Sequence, residues 1–223
     1  MIKNLMRAAT AVALTVLPLT MTSPAHAGGG SAAETLLLAD AIASLPVAEE
    51  SRAGYTRDKF KHWNSGVLAD GCNTRAELLI SEAVEPPTVE AGCKLIGGVW
   101  FSYYDEVYVS GASGNDVDHM VPLAEAWDSG ASQWTPARRE AYANDLGAPA
   151  SLVAVTARSN RSKADQDPST WMPPAESAGC RYLSEWVATK HRWGLTVDQA
   201  EADALLGRAD GCPGTTVEYD SLP

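Results

Sequence analysis

Apolar positions along this chain follow different spacings in different stretches, and each spacing predicts an element. Ser31-x-x-Glu34 reads as a capping box ahead of Leu36, Leu37, Leu38 and Ala39, predicting a helix that runs to about Ser44 and stops before Pro46. Polar Glu49 to Gly54 follows as a linker. Thr74-x-x-Glu77 is a second capping box, with Leu78, Leu79 and Val84 facing a core and Pro86-Pro87 closing the helix. From Cys93 to Ser110 β-formers dominate, among them Val99, Trp100, Phe101, Tyr103, Tyr104 and Val107, predicting a hairpin or two short strands. Asp116 to Val121 predicts another strand, and Leu123 to Trp127 a helix broken at Asp128-Ser129-Gly130. Thr135-Pro136 fits N-cap and N1 of a helix reaching about Leu146. Leu152 to Val155 has the texture of a buried strand. A short helix over Arg158 to Asp165 then ends at Asp167-Pro168. Helices over Arg181 to Trp193 and Val197 to Leu206 complete the pattern, the second capped by Thr196-x-x-Gln199. Strands and helices mixed in this way predict an α+β protein.

The first 27 residues predict a signal peptide. Lys3 and Arg7 form a basic start, Ala8 to Leu19 an apolar stretch, and Ala25-His26-Ala27 a small-x-small cleavage site. The apolar stretch is too short to span a membrane. The expectation is therefore an exported, extracellular, monomeric protein with no membrane association: residues 28–54 as an N-terminal helix and linker, and residues 55–223 as the working domain.

Charge sharpens the picture. The whole chain carries −11, and removing Lys3 and Arg7 leaves 15 basic against 28 acidic side chains, a balance of −13. Such a surface argues against a sequence-specific nucleic-acid binder, whose affinity rests on Lys and Arg. An enzyme whose metal supplies the local positive charge is not excluded. Four cysteines in an exported chain predict two disulfides, with Cys72–Cys93 and Cys180–Cys212 as the sequence-local pairing. A four-Cys zinc site lacks any Cys-x-x-Cys pair, and a three-His zinc site would need His62, His119 and His191 together, in contexts that do not favour ligation.

Candidate chemistry concentrates in two segments. Asp116-Val117-Asp118-His119 sets a carboxylate beside an imidazole, and Ser159-Asn160-Arg161-Ser162-Lys163 sets an amide and two cations at the start of a helix. Asp118 is a hard oxygen ligand suited to Mg²⁺ or Mn²⁺, and Asn160 offers a second oxygen. Neutral His119 can take a proton from water. Arg161 and Lys163 can meet phosphate. Glu125 is an accessory candidate, as a further ligand or an orienter of His119, with a solvated helix position as its plain alternative. An Asp-His pair alone is more often structural; its coincidence with Asn-Arg-Ser-Lys after a predicted strand is what carries the functional reading.

The two motifs, Asp118-His119-x-x-Pro122-Leu123 and Asn160-Arg161-Ser162-Lys163-x-Asp165, resemble the exported bacterial HNH, or ββα-metal, endonuclease family. The resemblance extends more loosely over about Arg57 to Cys212, and it implies a ββα-metal core embedded among helices. It also implies His119 as general base, Asp118 and Asn160 as ligands to Mg²⁺, and metal-dependent hydrolysis of DNA, with RNA left open and little sequence selectivity. Two departures stand out: disulfides replace the structural zinc of some HNH proteins, and the insertion Ala124 to Ala150 is long. The competing expectations are a non-catalytic binding or envelope protein that keeps the fold, and a phosphodiesterase for small or cell-wall phosphodiesters.

Overall fold

The computed structural model describes residues 33–68 and 70–222. The predicted signal peptide and Ser31 of the first capping box lie outside them. Among the described residues the chain is mixed α/β, with four two-stranded antiparallel sheets set among helices. Strand β1 (Glu34–Leu37) leads into α1 (Leu38–Ala43), and α2 (Thr74–Glu82) follows after a long irregular segment. Strands β2 (Thr88–Glu90) and β3 (Lys94–Ile96) pair with each other, as do β4 (Val99–Ser102) and β5 (Val107–Ser110). Then come β6 (Asn115–His119), α3 (Leu123–Asp128), α4 (Pro136–Ala143), β7 (Leu152–Thr156) and α5 (Ala157–Lys163). The chain ends in α6 (Gly179–Trp193), α7 (Gln199–Ala209) and β8 (Thr216–Tyr219).

Helix α6 organises the main core. Tyr182, Leu183, Trp186, Val187 and Trp193 are buried on it at helical spacing and share a cluster with Leu38 and Ile42 of α1, Leu123 and Trp127 of α3, and Leu205 of α7. Gly194, in the left-handed region at φ 65°, ends α6 and lets Leu195 N–H return to the Lys190 carbonyl at 2.9 Å. A second cluster joins Leu78 and Leu79 of α2 to Trp100, Val117, Leu152 and Ala154, so α2 backs the β6–β7 pair. The disulfides are Cys72–Cys93 and Cys180–Cys212, the sequence-local pairing. No helix among the described residues is long and apolar enough to cross a membrane.

Three local expectations change. Glu34–Leu37 is a strand rather than the start of a helix, because the C-terminal segment pairs with it antiparallel, Glu34 opposite Tyr219. A short apolar run is compatible with either element, and the partner decides. Helix α2 is capped one residue earlier than expected, by Asn73, whose Oδ1 accepts from Ala76 N–H at 2.9 Å. Glu77 is thereby released to accept from Val67 N–H and Leu68 N–H at 2.9 and 2.6 Å. Helix α7 is likewise capped by Asp198, accepting from Glu201 N–H at 2.7 Å, rather than by Thr196.

Candidate active site

The two chemistry-bearing segments meet through a simple local topology. Strands β6 and β7 run antiparallel with Asp118 opposite Val153 and His119 opposite Leu152. All five residues of β7 are buried, which explains its unbroken apolar run. Helix α5 starts directly after β7, where Thr156 Oγ1 accepts from Ser159 N–H at 3.2 Å. Asn160 and Arg161 are thus carried back alongside β6, and Asn160 Nδ2 donates to Asp116 Oδ2 at 3.2 Å.

A cleft of about 250 Å³ opens at this junction, lined among others by Arg57, Asp118, His119, Asn160, Arg161 and Asp165. Neighbouring strand residues normally face opposite ways. Asp118 and His119 nevertheless share the cleft, because the strand ends at His119.

Asp118 is buried, and its Oδ2 accepts two hydrogen bonds, from Tyr104 Oη at 2.7 Å and Lys163 Nζ at 2.5 Å. Burial pushes the carboxyl up from its ordinary range, while the Lys163 charge and the Tyr104 and Lys163 hydrogen bonds pull it back. His119 is buried too, and its Nε2 donates to the Ala143 carbonyl at 2.9 Å. That bond leaves Nδ1 as the ring nitrogen with a lone pair. Burial, with the nearby charges of Arg57, His62 and Lys163, lowers its pKa to about 3, against the opposing Ala143 hydrogen bond. The ring is therefore neutral near pH 7.

Each sequence-predicted residue can now be placed. Asp118, His119, Asn160 and Arg161 line one cleft. Arg161 is largely exposed and stands 3.6 Å from Asp116 Oδ2. Lys163, expected to meet phosphate, is corrected: its side chain is 0% exposed, and besides Asp118 it donates to the carbonyls of His119 and Met120 at 2.9 and 2.8 Å. Its ammonium also lies within 6 Å of the rings of Tyr104, Tyr182 and Trp186, at 5.9, 5.8 and 5.7 Å. Lys163 is an internal brace between α5 and the end of β6.

Glu125 is corrected as well. It does not line the cleft; its Oε1 accepts from Ser129 Oγ and Lys190 Nζ at 2.8 and 3.0 Å, and Lys190 also reaches Glu201 at 2.6 Å. This buried network, with Glu50 and Asp128, brings carboxylate oxygens of Glu50, Glu125 and Asp128 within 4.8 Å of one another, close enough to share a cation. Burial and Glu125 raise the Glu50 carboxyl to about 8. Arg75 donates to the Asn115 carbonyl at 2.8 Å. His191 stacks on Tyr219 and bonds the Ala41 carbonyl at 2.8 Å, a structural role.

Sequence reasoning missed Arg57, Tyr104 and Tyr142. Arg57 is exposed and lines the cleft, and it forms no ion pair among the described residues. Tyr104 lies in a β-forming run that carries no chemical signature, and Tyr142 in the insertion.

Residues 79–208 match the model of the C-terminal domain of the GmrSD restriction endonucleases. A protein of Arthroderma benhamiae (strain ATCC MYA-4681 / CBS 112371), named an uncharacterized secreted protein, is 37% identical over 204 residues, 91% of this chain and 96% of that protein. No solved structure matches. The chain belongs to the family of the GmrSD restriction endonuclease C-terminal domain.

Proposed function

We propose that this protein is an exported, metal-dependent endonuclease that hydrolyses phosphodiester bonds of DNA with little sequence selectivity, RNA not being distinguished from DNA. We read β6, β7 and α5 as an HNH-type ββα-metal core. The family supports a nuclease. The signal-like N-terminus, the two disulfides and the secreted relative support export.

The observation that carries the reading is the shared cleft, where a neutral imidazole, its Nε2 bonded to the Ala143 carbonyl, stands beside two oxygen donors and two exposed arginines. The donor set fits a hard divalent cation. Among the described residues Asp118 Oδ1 and Asn160 Oδ1 accept no hydrogen bond, while Asp118 Oδ2 and Asn160 Nδ2 are held by Tyr104, Lys163 and Asp116. Asp118 and Asn160 would hold Mg²⁺ or Mn²⁺, with substrate and water completing the shell. Bound there, the cation would polarise the phosphoryl group and stabilise charge on the departing 3′ oxygen.

The protein's own groups do the rest. His119 Nδ1 accepts a proton from water in the cleft, and Ala143 holds the opposite nitrogen so that this tautomer is kept. Hydroxide adds to phosphorus in line with the 3′ oxygen; the bond from phosphorus to that oxygen breaks, the oxygen takes a proton from water to become the 3′-hydroxyl, and the other product carries a 5′-phosphate. Arg57 and Arg161 offset the phosphate charge that the acidic surface would otherwise repel.

The test is plasmid cleavage by the oxidised mature protein with Mg²⁺, Mn²⁺ or EDTA, alongside His119→Ala. The expected result is metal-dependent nicking, lost in EDTA and reduced at least ~10²-fold in the variant. Near-normal turnover in the variant would remove His119 as base. No cleavage with any metal would move the reading to a small-phosphodiester substrate or a binding protein.

A further inference from the structure

Two aromatic rings stack on the imidazole of His119. The Trp63 ring system stacks on it with centroids 5.3 Å apart and planes 24° apart. Tyr142 stacks at 6.4 Å and 21°. His62 closes one edge at 6.4 Å, its plane turned 81°.

The Trp63 backbone is held where a tryptophan rarely sits. Its φ is 57°, in the left-handed region that disfavours side chains with a Cβ. Such outliers persist where surrounding structure enforces them, and they mark candidate functional positions. Here the enforcing residue is Asn144. Its Oδ1 accepts from Asn64 N–H at 3.0 Å and its Nδ2 donates to the Lys61 carbonyl at 2.7 Å, bracketing Trp63 on both sides. Three consecutive residues at the end of α4 therefore converge on His119: Tyr142 through its ring, Ala143 through its carbonyl and Asn144 through the Trp63 clamp. Tyr142 is itself fixed by its hydroxyl, which donates to the Val121 carbonyl.

We propose that Trp63 is a positioning residue for His119: together with the stacked Tyr142 ring, its indole fixes the imidazole plane so that Nδ1 stays directed at the attacking water. This rests on His119 being the base. The Ala143 hydrogen bond fixes one point of the ring but leaves rotation about that bond open. Rings stacked on the imidazole restrict that freedom. A near-attack geometry needs such restraint, since a displacement of roughly 1 Å can cost about 10²-fold in rate. Trp63 is only half-buried, and its exposed side invites a different role as a platform for a substrate base, which the test separates.

The experiment compares kcat and KM for a fluorescent oligonucleotide with Mg²⁺ across Trp63→Phe, Trp63→Leu and His119→Ala, with thermal melting of each. Phe keeps a stacking plane, whereas Leu keeps apolar bulk without one and protects against simple failure to fold. The expected result is that Trp63→Phe stays within about threefold of the parent, while Trp63→Leu loses roughly 10- to 100-fold in kcat with KM little changed. Unchanged kcat in Trp63→Leu beside an inactive His119→Ala would overturn the positioning role alone. A raised KM at constant kcat would overturn it in favour of base stacking. An active His119→Ala would refute the general-base reading, and this proposal with it.

Discussion

Lys163→Met is the substitution that separates the structural account most sharply from the sequence expectation. If Lys163 met phosphate, Met would leave the fold intact and weaken substrate binding. In the structure its ammonium is fully buried, donating to Asp118 Oδ2, the His119 carbonyl and the Met120 carbonyl. Met keeps most of the volume and suits the surrounding rings of Tyr104, Tyr182 and Trp186, so the cavity term is small. What remains is electrostatic: a buried carboxylate loses its cation, and two carbonyls lose their donor. Removing one partner of a buried pair costs ~3–5 kcal/mol, and each buried acceptor left unsatisfied about 1–3 kcal/mol. Tyr104 still serves Asp118, and the losses overlap, so ~4 kcal/mol is the working figure. For a domain of this size that corresponds to a fall of roughly 8–16 °C in Tm. Urea unfolding of the oxidised mature protein near pH 7 measures it, with Asp118→Asn and the double variant completing a cycle. The double variant should be the more stable of the two that lack Lys163, because the stranded charge is gone, with a coupling of ~2 kcal/mol or more. A cost below ~1 kcal/mol for Lys163→Met, or strictly additive effects, would refute the brace.

Two further outcomes follow from the same geometry. Glu82 accepts from Ala154 N–H at 2.6 Å, and burial raises its carboxyl to about 7 against that hydrogen bond. A folded-state pKa above the unfolded one means the native state holds the proton more tightly. Stability is therefore fullest below about pH 4.5 for this group and is lost as pH rises through about 7. Glu82→Gln should flatten that part of the pH–stability curve by up to ~3 kcal/mol, read by urea midpoints; an unchanged curve would contradict the assignment. Arg57→Ala should weaken DNA binding similarly for all sequences and lower the magnitude of the slope of log K against log salt by about 1, measured by fluorescence titration. An unchanged slope would remove Arg57 from the phosphate path.

Much of the secondary structure was legible because local rules act over a few residues. Pro136 after Thr135 marked the start of α4, the apolar run at Leu152 marked β7, and an even cysteine count paired by proximity marked both disulfides. Errors fell where a long-range partner overrode a local signal. Glu34–Leu37 became a strand only because Thr216–Tyr219 lies beside it. Lys163 and Glu125 looked like surface chemistry because a sequence does not show which charges are enclosed.

By itself, the sequence determined the residue types and their order: a carboxylate and an imidazole at the end of one strand, an amide and cations on the helix after the next. Those choices are local, and spacing reads them directly. Only the tertiary structure decided which of these groups face a common space and what holds them there. The orientation of the His119 ring and the rings stacked on it depend on Trp63, Tyr142, Ala143 and Asn144, which come from distant parts of the chain. Orientation and burial arise from packing between remote segments, and such contacts have no period along the chain from which to read them.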